Sequence, residues 1–181
     1  MPRKGRKKSD IFSFERFFCY FCRDKIMTKQ RLYFDTSVFG GVFDEEFQEA
    51  SKQLFERVVN GSICCVYSEI AESEILKAPK RVQDFFKSLP AENTEKVEVT
   101  DEVLSLATKY IEENVVGQTS FDDCVHIAAA TIYEVDILAS WNFKHIVNIY
   151  RIRGYNSINT RLNYKSLEIR SPKEIMLYEN H

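Results

Sequence analysis

From residue 31 onward, short β-prone apolar runs alternate with longer stretches whose apolar residues recur every three or four positions. Arg31-Leu-Tyr-Phe-Asp35 is a short strand closed by an acid, and the Gly40-Gly41 pair after Thr36 and Ser37 is expected to break regular structure. Phe47, Leu54, Phe55 and Val58 share a helical face over Asp44 to Val59, with Asn60-Gly61 as a stop. Ile63-Cys-Cys-Val-Tyr67 reads as a buried strand. Ser68 then caps a helix through Leu76, and Pro79 starts another to Ser88. Lys96 to Val99 is a short strand. Asp101 to Glu113 is a helix with Val103, Leu104, Ala107 and Ile111 inward. Thr119-Ser120 caps a helix over 121–134 that is apolar nearly all round and therefore buried. Asp136 to Ser140 is a strand, Lys144 to Arg153 a helix and Leu167 to Arg170 a last strand. Ser171-Pro172 opens a final short helix.

Strands and helices in alternation predict an α/β fold: a three-layer sandwich with a central parallel sheet of about five strands flanked by helices. In such sheets ligands lie beyond the carboxyl ends of the strands. Asp35, at the end of one strand, and Ser140-Trp141-Asn142, after another, are therefore the first places to look for chemistry.

Charge divides the chain. Residues 1–30 carry nine Lys/Arg against three Asp/Glu, whereas residues 31–181 carry sixteen against twenty-four, a net −8. The basic head is either an arm for nucleic acid or a membrane surface, or an extension upstream of a start at Met27. The second reading is adopted, so residues 1–30 are expected to be a poorly ordered extension and 31–181 the domain. The head is not read as a secretion signal, because Glu15 and Arg16 interrupt its apolar part and no small-residue cleavage site follows. Cys19 and Cys22 have zinc-like spacing but no second pair nearby. Five cysteines, two of them adjacent at Cys64-Cys65, do not make a disulfide framework and point to a reducing cytoplasm. No apolar run approaches the roughly 20 residues needed to span a bilayer, so no membrane role is expected.

Three acids and one amide stand out. On the helix after Ser68, Ile70, Ala71 and Ile75 define an apolar arc at 100° per residue; Glu74 falls inside it, while Glu69 and Glu72 fall outside and read as solvated. An inward carboxylate is costly unless it is paired or bound to metal. Asp123 shares a face with Ile127 and Ala130, although Ser120-Phe-Asp-Asp123 also fits a capping box. Asn142 offers an amide oxygen, a neutral ligand for a hard cation, or is a plain turn residue. His126, one turn beyond Asp123, reads more simply as a hydrogen-bonded core residue than as a ligand. Oxygen ligands suit Mg²⁺ or Mn²⁺, which can acidify water and neutralise charge in phosphodiester hydrolysis.

Taken together, Leu32-Tyr-Phe-Asp35-Thr-Ser, Ser68-x₅-Glu74-Ile, Asp123-Cys-Val-His-Ile-Ala-Ala-Ala and Ile137-Leu-Ala-Ser-Trp-Asn142-Phe resemble the PIN domain, in the form found in VapC-like toxins of toxin–antitoxin pairs. The resemblance spans residues 31–175. It implies a Mg²⁺- or Mn²⁺-dependent endoribonuclease, with an RNA substrate and a small antitoxin partner, and leaves room for a homodimer. It further implies acids at the positions of Asp35, Glu74, Asp123 and Asn142, and hydroxyls near them at Thr36 and Ser140. Asp35, Glu74 and Asp123 would hold the metal. The fourth position, often Asp in the family, is Asn here, which bears on whether a second metal binds.

A net −8 repels RNA, so contact must be local. Residues 144–173 hold seven Lys/Arg, among them Lys144, Arg151 and Arg153, against the single acid Glu168, with Tyr150, Tyr155 and Tyr164 interleaved. That pattern suits single-stranded RNA, or a solvated face whose tyrosines anchor in the core. Thr36, Ser140, Lys144, Arg151 and Arg153 are the candidate substrate contacts. A rival reading is a PIN-like module, weakened at Asn142, that binds RNA or a protein partner without cutting. An aspartyl-phosphate phosphatase is disfavoured, since its common pattern wants a second Asp where Ser37 stands.

Overall fold

Leu32, Tyr33 and Phe34 are each wholly buried, and they face alternately to the two sides of one sheet. This is the signature of a strand covered on both faces, where β-prone apolar residues need no polar alternation. The computed structural model describes residues 29–178. The basic head and its Cys19–Cys22 pair lie outside them.

Strand β1 (Gln30–Phe34) is the middle of five parallel strands, with β2 (Ile63–Ser68), β3 (Thr94–Val97), β4 (Ile137–Ala139) and β5 (Glu168–Arg170) in the order β3-β2-β1-β4-β5. Its register sets Tyr33 opposite Val66 on one side and Leu138 on the other. These pairs, with Ile169, pack under α5 (Asp101–Glu112), α6 (Phe121–Ile132) and α7 (Ile149–Arg161). On the opposite face Leu32, Phe34, Ile63, Cys65 and Ala139 pack against α1 (Thr36–Gly41), α2 (Gln48–Val59), α4 (Lys80–Lys87) and α8 (Pro172–Tyr178). The expected three-layer α/β sandwich is therefore present. The remaining helix, α3 (Glu69–Lys77), leaves β2 directly: Ser68 ends the strand and its Oγ accepts from the Ala71 amide. Its Ala71 and Ile75 are buried, as the arc predicts, and Leu76 is exposed.

Five local expectations are corrected. Gly40 and Gly41 do not break the chain but end helix α1. Gly41 is there for closeness, since a Cβ would lie 2.6 Å from Ser51 Oγ and 2.7 Å from Trp141 Nε1. The helix placed from Asp44 begins only at Gln48, after a turn. Strand β3 ends at Val97, two residues before the expected Val99. In α5 the buried positions are Val103, Leu106, Ala107 and Tyr110, and Leu104 faces water. The helix read over Lys144–Arg153 starts instead at Ile149, because Asn148 caps it by accepting from the Tyr150 and Arg151 amides. It runs on through Gly154 to Arg161; a Cβ at Gly154 would lie 2.8 Å from Val115.

Candidate metal centre

Asp35 follows the last residue of the central strand, which puts its carboxylate at the carboxyl edge of the sheet. It is almost fully buried. Its Oδ2 accepts from the hydroxyls of Ser37 (2.6 Å) and Ser140 (2.7 Å), the latter from just beyond the adjoining strand β4. The backbone reinforces this junction, since the Asp35 amide donates to Ala139 O and the Trp141 amide donates to Ser37 Oγ. One oxygen is thus fixed by two neutral donors, and Oδ1 is left facing His126.

Glu74 reaches the same place from α3. It accepts a hydrogen bond from Thr36 Oγ1, and its Oε2 lies 3.3 Å from His126 Nε2. Its side chain retains 32 % of its exposure, so the centre opens to solvent on this side. Burial alone would raise the proton affinity of Glu74, but the hydrogen bonds from His126 and Thr36 overcome it and hold the carboxyl below its ordinary range. Glu69 and Glu72 lie elsewhere: Glu69 accepts from the Val99 amide, and Glu72 pairs with Lys96.

His126 is 2 % exposed and hydrogen-bonded, which matches its reading as a core residue. It is also part of the site. Nε2 lies 3.7 Å from Asp35 Oδ1 as well as 3.3 Å from Glu74, and one ligand atom from each of the three residues falls within 4.8 Å of the others. Burial works against a charged imidazole here, but the Glu74 hydrogen bond and the charges of Asp35, Glu74 and Asp123 raise its pKa overall. Nδ1 faces the phenol of Tyr33 at 2.8 Å, and that phenol lies 2.6 Å from Ser68 Oγ.

Asp123 stands at the start of α6, half-buried and outside this close group of three. The expected capping box does not form, since the Ser120 side chain makes no cap hydrogen bond. Burial, then the charge of Asp35, raises the Asp123 pKa. Asn142 holds it: Nδ2 donates to Asp123 Oδ1 at 2.8 Å, while Asn142 Oδ1 accepts from the His145 amide at 3.0 Å. A backbone N–H can only donate, so this second bond fixes which end of the amide faces Asp123. The amide oxygen is committed to its own loop rather than turned toward the carboxylates.

No family model matches the chain, and no curated protein matches it. Two of the solved structures that match are toxin–antitoxin assemblies. VapBC2 from Rickettsia felis, bound to a DNA fragment from its promoter, superposes with a TM-score of 0.50 and 13 % identity over 78 % of this chain and 98 % of that one. A toxin–antitoxin complex from Klebsiella pneumoniae gives 0.47 and 18 % over 62 % and 88 %. The fold is that of a VapC-like PIN domain.

In this PIN-like fold the two hydroxyls singled out in the sequence are engaged with the acids. Thr36 donates to Glu74, and Ser140, fully buried, donates to Asp35 and accepts from the Asn142 amide. The basic segment is less free than its composition suggests. Arg161 pairs with Glu113, Lys165 with Glu134 and Arg170 with Glu168. Tyr155 is buried in the core and Tyr164 donates to Glu102, leaving Tyr150, 79 % exposed, as the outward-facing aromatic of the three. Arg151 donates to Val115 O and, with Tyr150 and Asn148, lines a surface depression of about 690 Å³; Lys144 and Arg153 are exposed. His145, which the sequence reading passed over, is near enough for the Asp123 charge to act on it, although burial lowers its pKa overall. Its only signal was its place in the loop that carries Asn142.

Proposed function

We propose that this chain is a divalent-metal-dependent endoribonuclease, the toxin of a toxin–antitoxin pair, with Asp35, Glu74 and Asp123 as its acids. The observation that carries the reading is the meeting of Asp35 and Glu74 at the carboxyl edge of the central strand of a PIN-like fold, each fixed by a neighbouring hydroxyl. Fixed carboxylates facing a half-open position suit a divalent ion, and the donor set fits one: hard oxygens, two of them on different elements, with room on the Glu74 side. Such an ion would supply charge neutralisation at the phosphate and acidify water.

The chain's own residues do the rest. Ser37 and Ser140 keep Asp35 from turning, and Thr36 keeps Glu74 from turning. Asp123, with its raised proton affinity, is the acid best suited to take up a proton during hydrolysis, and Asn142 aims it. Tyr150, Arg151, Lys144 and Arg153 supply a stacking ring and cations beside the loop after β4, which suits a single strand. An antitoxin finds an apolar surface in the groove of about 450 Å³ between α2 and α8, where Phe143 and Leu177 are about half exposed.

A second reading, a module that binds RNA without cutting it, is favoured by one observation: Asn142 supplies a donor to Asp123 where a fourth acid would supply a ligand. A cleavage assay separates the two. The full chain, incubated with a quenched fluorescent single-stranded RNA and Mg²⁺ or Mn²⁺, should release fluorescence, and Asp35→Asn should abolish the release. RNA binding without metal-dependent cleavage by the wild type would overturn the nuclease reading in favour of the module.

A further inference from the structure

We infer that the centre is a mixed carboxylate–imidazole site in which His126 Nε2 is a metal ligand beside Asp35 and Glu74, held in place by Tyr33 and Ser68, and that it selects a transition-metal dication over Mg²⁺. This rests on the reading of the site as a metal centre and adds the identity of the third ligand and the class of ion.

Donor spacing comes first. Ligand atoms about 2.1 Å from a common tetrahedral ion lie about 3.4 Å apart, and about 3.0 Å apart around an octahedral one. The imidazole nitrogen sits 3.3 Å from Glu74 Oε2 and 3.7 Å from Asp35 Oδ1, so small movements close the set around one ion. The exposed flank of Glu74 leaves further coordination positions for water or substrate.

The orientation of the ring is the second, independent observation. A histidine that binds metal through one nitrogen donates its other N–H to a fixed acceptor, which sets the tautomer. Tyr33 offers that acceptor. The phenol is fully buried at the centre of the sheet, with Ser68 Oγ 2.6 Å away on one side and His126 Nδ1 2.8 Å away on the other. Either hydroxyl of the Tyr33–Ser68 pair can donate; with the Tyr33 O–H donating to Ser68 Oγ, the Tyr33 oxygen is free to accept from His126 Nδ1–H. With this polarity Nε2 faces the two carboxylates, where a proton lies in the metal-free protein and an ion takes its place when bound. Tyr33 and Ser68 are thus positioning residues for the imidazole.

Imidazole favours later first-row ions, whereas Mg²⁺ prefers oxygen ligands and gives up water reluctantly. The site should therefore bind Mn²⁺ more tightly than Mg²⁺, by roughly tenfold or more, and affinity should climb from Mn²⁺ through Co²⁺ to Ni²⁺.

The test is metal binding by the full chain after chelator treatment, measured by calorimetry with Mg²⁺, Mn²⁺, Co²⁺ and Ni²⁺ in the absence of RNA. His126→Gln should weaken Co²⁺ and Ni²⁺ far more than Mg²⁺, flattening the series. Tyr33→Phe, which keeps the ring and removes the acceptor, should weaken Co²⁺ by about 10- to 100-fold. Proton NMR of the Co²⁺ form should show a shifted, exchangeable imidazole N–H that is absent in His126→Gln. Equal Mg²⁺ and Co²⁺ affinity in wild type, or a Co²⁺ signal that survives His126→Gln in folded protein, would overturn the inference. If His126→Gln does not fold, the Tyr33→Phe affinity and the wild-type NMR signal decide alone. A wild type that binds no ion overturns both this inference and the metal-dependent nuclease. Binding in the expected order without RNA cleavage keeps the metal site and removes only the nuclease.

Discussion

Replacing Asn142 by Asp changes one atom type at a point where the structure makes its effect calculable. In the wild type the amide donates to Asp123 at 2.8 Å. The variant exchanges that donor for a second carboxylate facing the first. A hydrogen bond to a charged group contributes about 1.5–3 kcal/mol, and two like charges about 4 Å apart repel by about 4 kcal/mol at an effective dielectric near 20. Both residues are half-buried, so solvent screens part of the repulsion, and the pair can share a proton to escape the rest. A realised loss of about 2–3 kcal/mol at pH 8 follows, shrinking toward pH 5 as a proton returns. For a chain of 181 residues that is a fall in Tm of about 4–12 °C. The assay is thermal unfolding of metal-free protein across that pH range, with Asn142→Ala as the neutral control. The control loses both hydrogen bonds of the amide, to Asp123 and from the His145 amide, but adds no charge, so its deficit should be nearly the same at both ends. Saturating Mn²⁺ should reduce the Asn142→Asp deficit, because an ion that binds only the folded state adds stability by mass action. An Asn142→Asp variant with wild-type Tm at pH 8, or with the same deficit at pH 5 as at pH 8, would refute the assignment of Asn142 as the donor that holds Asp123.

Three further outcomes are expected. His126 is raised above its ordinary 6.5, so the stability it contributes is full below that value and lost as pH rises through its folded value; metal-free Tm should fall along this alkaline limb, and His126→Gln should lack the fall. Glu74 is held below its ordinary 4.5, so its contribution is present above that value and lost as pH falls through the folded one, and Glu74→Gln should flatten the acid limb of the same curve. Gly41→Ala would push a methyl against Ser51 and Trp141, which are themselves joined by a 2.9 Å hydrogen bond, and should cost about 1–3 kcal/mol of stability by chemical denaturation.

Periodicity made much of this protein legible and left specific things hidden. Glu74 could be separated from Glu69 and Glu72 because a helix of known pitch already had its apolar arc marked by Ala71 and Ile75, and burial follows that arc. The place of His126 in the centre could not be read in the same way. It depends on a phenol 93 residues earlier in sequence, and no local pattern encodes a contact made across a sheet. The start of the helix that ends at Arg161 was misplaced although its signal was present, since Asn148 is an ordinary capping residue. Gly41 misled for the opposite reason: glycine usually marks a change of direction, and here it marks a close approach to Ser51 and Trp141. The basic stretch was correct as composition but not as surface, because Glu113, Glu134 and Glu102, far away in sequence, neutralise or occupy part of it.

The position of β1 at the middle of the sheet carries a consequence for how the protein can fail. β3 and β5 are the outermost strands, and each can fray without disturbing the pairing of β1 with β2 and β4. Tyr33 rides on, and Asp35 directly follows, the middle strand, which is paired on both sides by strands that are not at the sheet edge. Amide hydrogens of Leu32 to Phe34 should therefore exchange with solvent only when the whole molecule opens, on the slowest time course in the chain. A population heated toward unfolding should consist of intact centres and fully opened chains, with few molecules in which the acids are merely loosened. The native fold lost in this way should return in full on cooling, or not at all in those chains that aggregate first.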